Sequence, residues 1–336
     1  MDEVGSLQHV SGKPRRISYW FIAATLVLIG WLHMTTMLLA VLFSYLALTR
    51  LNFLKHRGKW VAVVLLLVLV SAIAYLLGYI INQAVRTLPE VADQAIPLII
   101  QWAKQHQVEP PFTDYDSLKD WATDTVKGQV QYLASVAKFA RGAGRLFVFL
   151  IAGVVAAISL FLNPRFELGG ESGNRPNNFY SSCCEQIARR FATLYRSFAT
   201  VMGAQILISA INTVLTAIFV LAVRLPHLSV VIGLTFLFGL VPIIGNLVSN
   251  TIIVGIALTV SPTTALLALV FLVLIHKLEY FLNSKIIGRR ILNPLWLTLL
   301  ALILGERLMG LPGMVLAPVI LHYIKVETSN IDVAKA

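Results

Sequence analysis

Charge is what this sequence has least of. From residue 228 to residue 275 it runs 48 positions without a lysine, arginine, aspartate or glutamate, and only 13% of its 336 residues are charged. With 57% hydrophobic residues and a mean hydropathy of +0.79, that scarcity excludes a soluble globular domain, whose core could not absorb so much apolar sequence. Cysteine is nearly absent. The two present, Cys183 and Cys184, are neighbours, a spacing that rarely meets disulfide geometry, so neither a disulfide framework nor a metal site is indicated. Catalytic motifs are missing too: the apolar runs hold no His-Glu-x-x-His, no paired aspartates and no serine with a histidine partner. The glycine-rich stretch 169–176 lacks the Lys-Ser/Thr ending and the preceding strand of a phosphate loop. These absences argue against an enzyme, a nucleotide-driven motor or a bound cofactor.

What is present is a set of apolar runs with basic residues beside them. A net charge of +11 would point to nucleic acid in a soluble chain, but here the lysines and arginines flank the runs, as membrane topology demands. The expected fold is therefore an all-α polytopic integral membrane protein. It should have about eight transmembrane or re-entrant helices, short broken hairpins and a helical extramembrane insertion, with lipids as its surroundings. Residues 1–18 read as a cytoplasmic tail; they imitate a signal peptide, yet the following run is too long and has no clear cleavage site, so the segment is expected to be retained. The N-terminal transmembrane helices occupy 19–81. Within them the run 19–48 has basic residues at both ends (Lys13, Arg15, Arg16; Arg50, Lys55, Arg57, Lys59), which predicts a hairpin turning near His33, and 60–81 is a span of ordinary length. Residues 82–141 carry charges of both signs and read as an extracytoplasmic insertion of two or three amphipathic helices, punctuated by Pro89, Pro97 and Pro110-Pro111, with a helical face from Leu118 to Ala140. A span over 142–163, a cytoplasmic loop and interfacial helix over 164–200 (Arg189, Arg190, Arg196), a C-terminal core over 201–325 and a cytoplasmic tail over 326–336 complete the organisation.

The long uncharged run is broken at Val241-Pro242-Ile243-Ile244-Gly245-Asn246. Proline removes a backbone donor and glycine permits a turn, leaving arms of roughly 229–240 and 247–260. Arms of 12 to 14 residues cover about 20 Å, while the hydrocarbon core is about 30 Å thick. Irregular backbone at that depth survives where protein or a water-filled cavity satisfies it, so Pro242 and Gly245 mark a candidate gate; two tilted spans with an ordinary turn are the alternative. A second short pair, 295–304 and 314–324, is joined by a turn holding Glu306 and Arg307. Ionisable groups in apolar segments cost about 2.5–3.5 kcal/mol on insertion scales, which singles out Glu279 with His276 three residues before it. That pair suits proton-for-cation exchange, or forms with Lys277 a cluster that snorkels to the headgroups. Asn246 and Asn250 either bind a hydroxylated solute or cation, or cap the second arm. Ser209, Asn212 and Thr213 line the same cavity or bond between helices. Glu306 and Arg307 are transport candidates, with a solvated tip or a salt bridge between subunits as the plainer use.

The motif array itself is distinctive. Val241 to Gly245, Glu279, Lys285-Ile286-Ile287-Gly288-Arg289-Arg290, Asn293-Pro294-Leu295-Trp296 and the closing Gly310-Leu311-Pro312-Gly313-Met314 with Ala317-Pro318 resemble the autoinducer-2 exporter family of bacterial membrane transporters over nearly the whole chain. It departs from the family pattern at Asn246 and near Ser284, where many relatives carry proline. The resemblance implies a multi-pass inner-membrane protein that moves a small solute or monovalent cation without ATP, and a homo-oligomer, in a ring. Members are associated with export of the autoinducer-2 signal and with sodium or lithium exchange for protons. The alternative is an oligomeric channel or facilitative pore gated by the hairpins.

Overall fold

The computed structural model describes residues 12–52, 58–105, 116–117, 136–163, 178–241, 244–287 and 294–329, and among these it is helical, with no strand. Five segments are long and apolar enough to cross a bilayer: Lys59–Leu98, Gly144–Leu162, Phe179–Val223, Pro262–Glu279 and Trp296–Ser329. Large apolar side chains such as Trp20, Tyr75, Phe147 and Leu266 lie on the outside, where lipid rather than water suits them. The chain is an all-α, multi-pass membrane protein, folded as two compact units.

The first unit comprises Met1–Leu66, Val148–Val201 and Asn293–Ala336. Helices α1 (Gly12–Trp31) and α2 (Thr35–Leu51) meet at 117°, and His33 turns the chain with a φ of 54°. Leu48 of α2 packs with Ala62, Val63 and Leu66 at the start of α3 (Gly58–Gln105) and with Ala157 and Phe161 of α4 (Val136–Leu162). Edge-to-face pairs Phe43–Phe198 and Tyr45–Tyr195, each with ring centres 4.9 Å apart, join α2 to α5 (Phe179–Val223). The unit closes with a helical run, Leu295–Ser329, that bends at Gly310, where φ is 66° and a side chain would be strained.

The second unit comprises Leu67–Phe147 and Met202–Leu292. Its last three helices are α6 (Leu228–Gly239), α7 (Ile244–Val260) and α8 (Pro262–Ile287), with α7 packed against both neighbours. Ser261 caps α8 by accepting the Thr264 amide at 3.0 Å, and Pro262 takes the first helical position, where no amide is needed. Val91 of α3, Val220 of α5, Val231 of α6, Ile253 and Ile256 of α7 and Ala268 of α8 share one core.

Three expectations change. The span expected over 60–81 is the first part of α3, which continues through Pro89 and Pro97 to Gln105. A proline inside a helix costs about 3 kcal/mol, but Ile80, Ala84, Thr87, Val91, Ala95 and Ile96 form a buried stripe at helical spacing that holds the helix together. The interfacial helix expected before residue 200 and the span after it are one helix, α5. At about 1.5 Å per residue, the 48 residues of α3 reach about 72 Å, far beyond a bilayer. Lastly, the broad turn expected between 304 and 314 is a single break at Gly310; Glu306 and Arg307 are helical residues ahead of it. The amphipathic face expected from Leu118 lies, as far as residue 135, outside the described residues.

Candidate functional site

The broken hairpin exists as two helices separated by four residues, and the last four carbonyls of the first helix all have partners. A helix leaves its final four carbonyls without partners, a heavy cost in a membrane. For α6 those belong to Phe236, Leu237, Phe238 and Gly239. The amides of Leu240 and Val241 reach Leu237 and Phe238 at 3.3 and 2.9 Å. The other two are served by α5: Ser209 Oγ donates to Phe236 O at 2.8 Å and Gln205 Nε2 donates to Gly239 O at 2.6 Å. Gly245 opens α7 pressed onto the last turn of α6, where a Cβ would run into the Phe238 carbonyl, so only glycine fits. Pro242 lies outside the described residues.

Gln205 and Ser209 are the lower half of a polar stripe on α5. Its upper half, Asn212 and Thr216, reaches a small pocket together with Thr235 of α6, Asn246, Ser249 and Asn250 of α7, and His276 and Glu279 of α8. Including its open mouth the pocket measures about 310 Å³, and its enclosed part has room for a water-sized occupant, not for a metabolite of many atoms. Glu279 is the acidic group there, and its side chain is only 14% exposed. Asn246 Nδ2 donates to Glu279 Oε2 at 2.5 Å, and Asn212 approaches the same carboxylate. His276 Nδ1 lies 3.9 Å from Glu279 Oε2, but its side chain is 54% exposed. Lys277 is exposed and is not among the residues lining the pocket.

Four residues singled out in the sequence, Asn246, Asn250, His276 and Glu279, thus come together. Glu306 and Arg307 do not join them. They lie in the first unit, where Arg307 Nε is 4.0 Å from Glu306 Oε2 and both are exposed. Ser209 and Thr213 bond backbone carbonyls rather than line the pocket. Sequence reasoning passed over Gln205, Thr216 and Thr235, although the spacing of 205, 209, 212 and 216 puts four polar side chains on one face of an apolar helix. Among the described residues no three of His, Cys, Asp and Glu gather as a transition-metal site would require. One carboxylate among amide and hydroxyl oxygens is instead a set for a proton or a hard cation.

Comparison with known proteins finds membrane transporters. A family model described as AI-2E family transporter matches residues 17–331. A "Sodium-lithium/proton antiporter" of Halobacillus andaensis is 28% identical over 309 residues, 84% of each chain. The "Putative transport protein YdbI" of Bacillus subtilis (strain 168) is 30% identical over 134 residues, 39% of this chain and 38% of that one.

Proposed function

The chain belongs to the AI-2E transporter family, and on that footing we propose that this membrane transporter exchanges a small monovalent cation for protons at Glu279. What carries the reading is the company Glu279 keeps. Its side chain is mostly buried, its carboxylate is held by the neutral amide of Asn246, and it meets no lysine or arginine among the described side chains. A buried carboxylate without a fixed counter-charge is costly to leave ionised, so it is settled by a proton or by a cation beside it. Two such occupants of one group exclude each other, which is what exchange requires. The antiporter relative supports this choice of cargo, and the narrow pocket favours a bare ion over a larger solute.

Access to the two sides would alternate through movement of the α6–α7 break. The clusters Lys13, Arg15, Arg16; Arg189, Arg190, Arg196; and Lys285, Arg289, Arg290 support placing those segments on the cytoplasmic side of a bacterial inner membrane. A homo-oligomer belongs to the same proposal and is checked by native mass spectrometry of the purified protein.

The test is flux. In proteoliposomes with an imposed pH gradient, the protein should accumulate sodium or lithium against its gradient, and the apparent KM for the cation should rise as pH falls, because protons and cations contend for one carboxylate. Equilibration without accumulation would instead show a channel. Absence of any sodium- or lithium-linked proton movement, with another solute transported, would overturn the cation reading.

A further inference from the structure

We propose that Asn212 and Thr235 supply the neutral half of a binding site for a dehydrated monovalent cation whose charged half is Glu279. This rests on the exchange reading and says which atoms hold the ion. Both residues line the pocket and are more than nine-tenths buried, at 6% and 7% exposure. Both present an oxygen, Asn212 Oδ1 and Thr235 Oγ1, that is sealed from the surface and has no hydrogen-bond partner. Such an oxygen costs about 1–3 kcal/mol to bury unpaired, so an unmet pair in one small pocket calls for an occupant.

Among the described residues of the second unit these are the two buried side-chain atoms left without a partner; the first unit holds others, among them Thr35 Oγ1, Ser197 Oγ and Glu327 Oε1. On the same face of α5, Ser209 and Gln205 are both bonded. Elsewhere in this unit Thr213, Thr251 and Thr259 return their hydroxyls to carbonyls of their own helices, as threonines in apolar helices do. Thr235 does not. The side-chain oxygen of Asn212 can only accept, while the residue also approaches the Glu279 carboxylate. Lone pairs and a carboxylate on residues that line one narrow space attract a positive charge. A single carboxylate balances a single charge, whereas divalent sites gather several, and the room for a water-sized occupant fits a bare ion. A bridging water is the competing occupant, and the experiment separates them.

Thr235→Val keeps the shape and removes the oxygen; Thr235→Ser keeps the oxygen; Asn212→Leu removes the amide. In sodium- and lithium-driven flux assays on full-length protein, Thr235→Val and Asn212→Leu should each raise the apparent KM about tenfold or more, with a smaller effect on maximal rate, and Thr235→Ser should stay close to wild type. Unchanged KM in both oxygen-deleting variants would mean that the oxygens serve a structural water only, and would overturn the proposal. Sodium-23 NMR titration of detergent-solubilised protein reads the site without transport. Saturable line broadening in wild type that Thr235→Val abolishes supports it; equal broadening in both, or none in wild type, overturns it. If sodium binds in this way but no proton-coupled flux appears, the exchange reading fails while the site stands.

Discussion

Glu279 and Glu327 are both carboxylates largely shielded within helices, Glu327 more completely, yet they live by different rules. Glu327, with 5% of its side chain exposed, is paired with the Arg190 guanidinium of α5. That guanidinium lies 4.2 Å from the ring centre of Tyr19, whose hydroxyl donates to Glu327 Oε2 at 3.2 Å. Arg190 Nε also reaches Ser18 Oγ at 3.5 Å, so α1, α5 and the closing helix are tied at one point. Arginine does not give up its proton in a protein, so Glu327 has a permanent counter-charge and nothing to exchange. Glu279 has an amide in that place. The difference teaches that burial alone does not make an acid a transport group; the partner decides whether its charge is spoken for.

The strongest way to break this contrast is Glu279→Gln, which should reduce proton-linked cation flux to the background of empty vesicles while leaving the sizing profile and melting temperature of the purified protein nearly unchanged. Retained coupling would return Glu279 to the structural class. Arg190→Ala should do the opposite: stranding Glu327 costs about 3–5 kcal/mol, seen as a lower thermal midpoint in detergent, and Arg190→Met combined with Glu327→Leu should recover much of it. A variant that kept its stability and lost exchange would move Glu327 to the functional class. A smaller effect is expected of Gln205→Leu, which leaves the Gly239 carbonyl unserved at a cost of about 1–3 kcal/mol, again read by thermal shift. Smallest is Glu306→Gln: an exposed pair at 4.0 Å contributes about 0–1 kcal/mol, and both stability and flux should stay as in wild type.

Some of this was legible in the sequence and some was hidden by a change of solvent. The arms read as 229–240 and 247–260 lie within a few residues of α6 and α7, because proline and glycine mark the backbone directly. The boundary read at residue 82 marked a change of composition instead. A helix that passes from lipid into water changes its residues without changing its hydrogen bonds, so α3 runs on where the polar residues begin, and α5 joins a charged half to an apolar one. At the pocket, Glu279 stood out as a carboxylate in an apolar span. Thr235 gave no such signal, since a threonine there ordinarily bonds its own helix, and only the fold shows that this one does not.

The seam between α5 and the end of α6 sets an energy scale for motion. A break closed within its own backbone would have to unwind to open, but this one is closed at two carbonyls by the detachable side chains Gln205 and Ser209. Releasing two such bonds would cost about 1–3 kcal/mol when water takes over the carbonyls, which would leave an opened form populated at roughly 0.6–16%. Access of water to those two carbonyls, rather than the strength of the backbone, would therefore set how readily the seam parts.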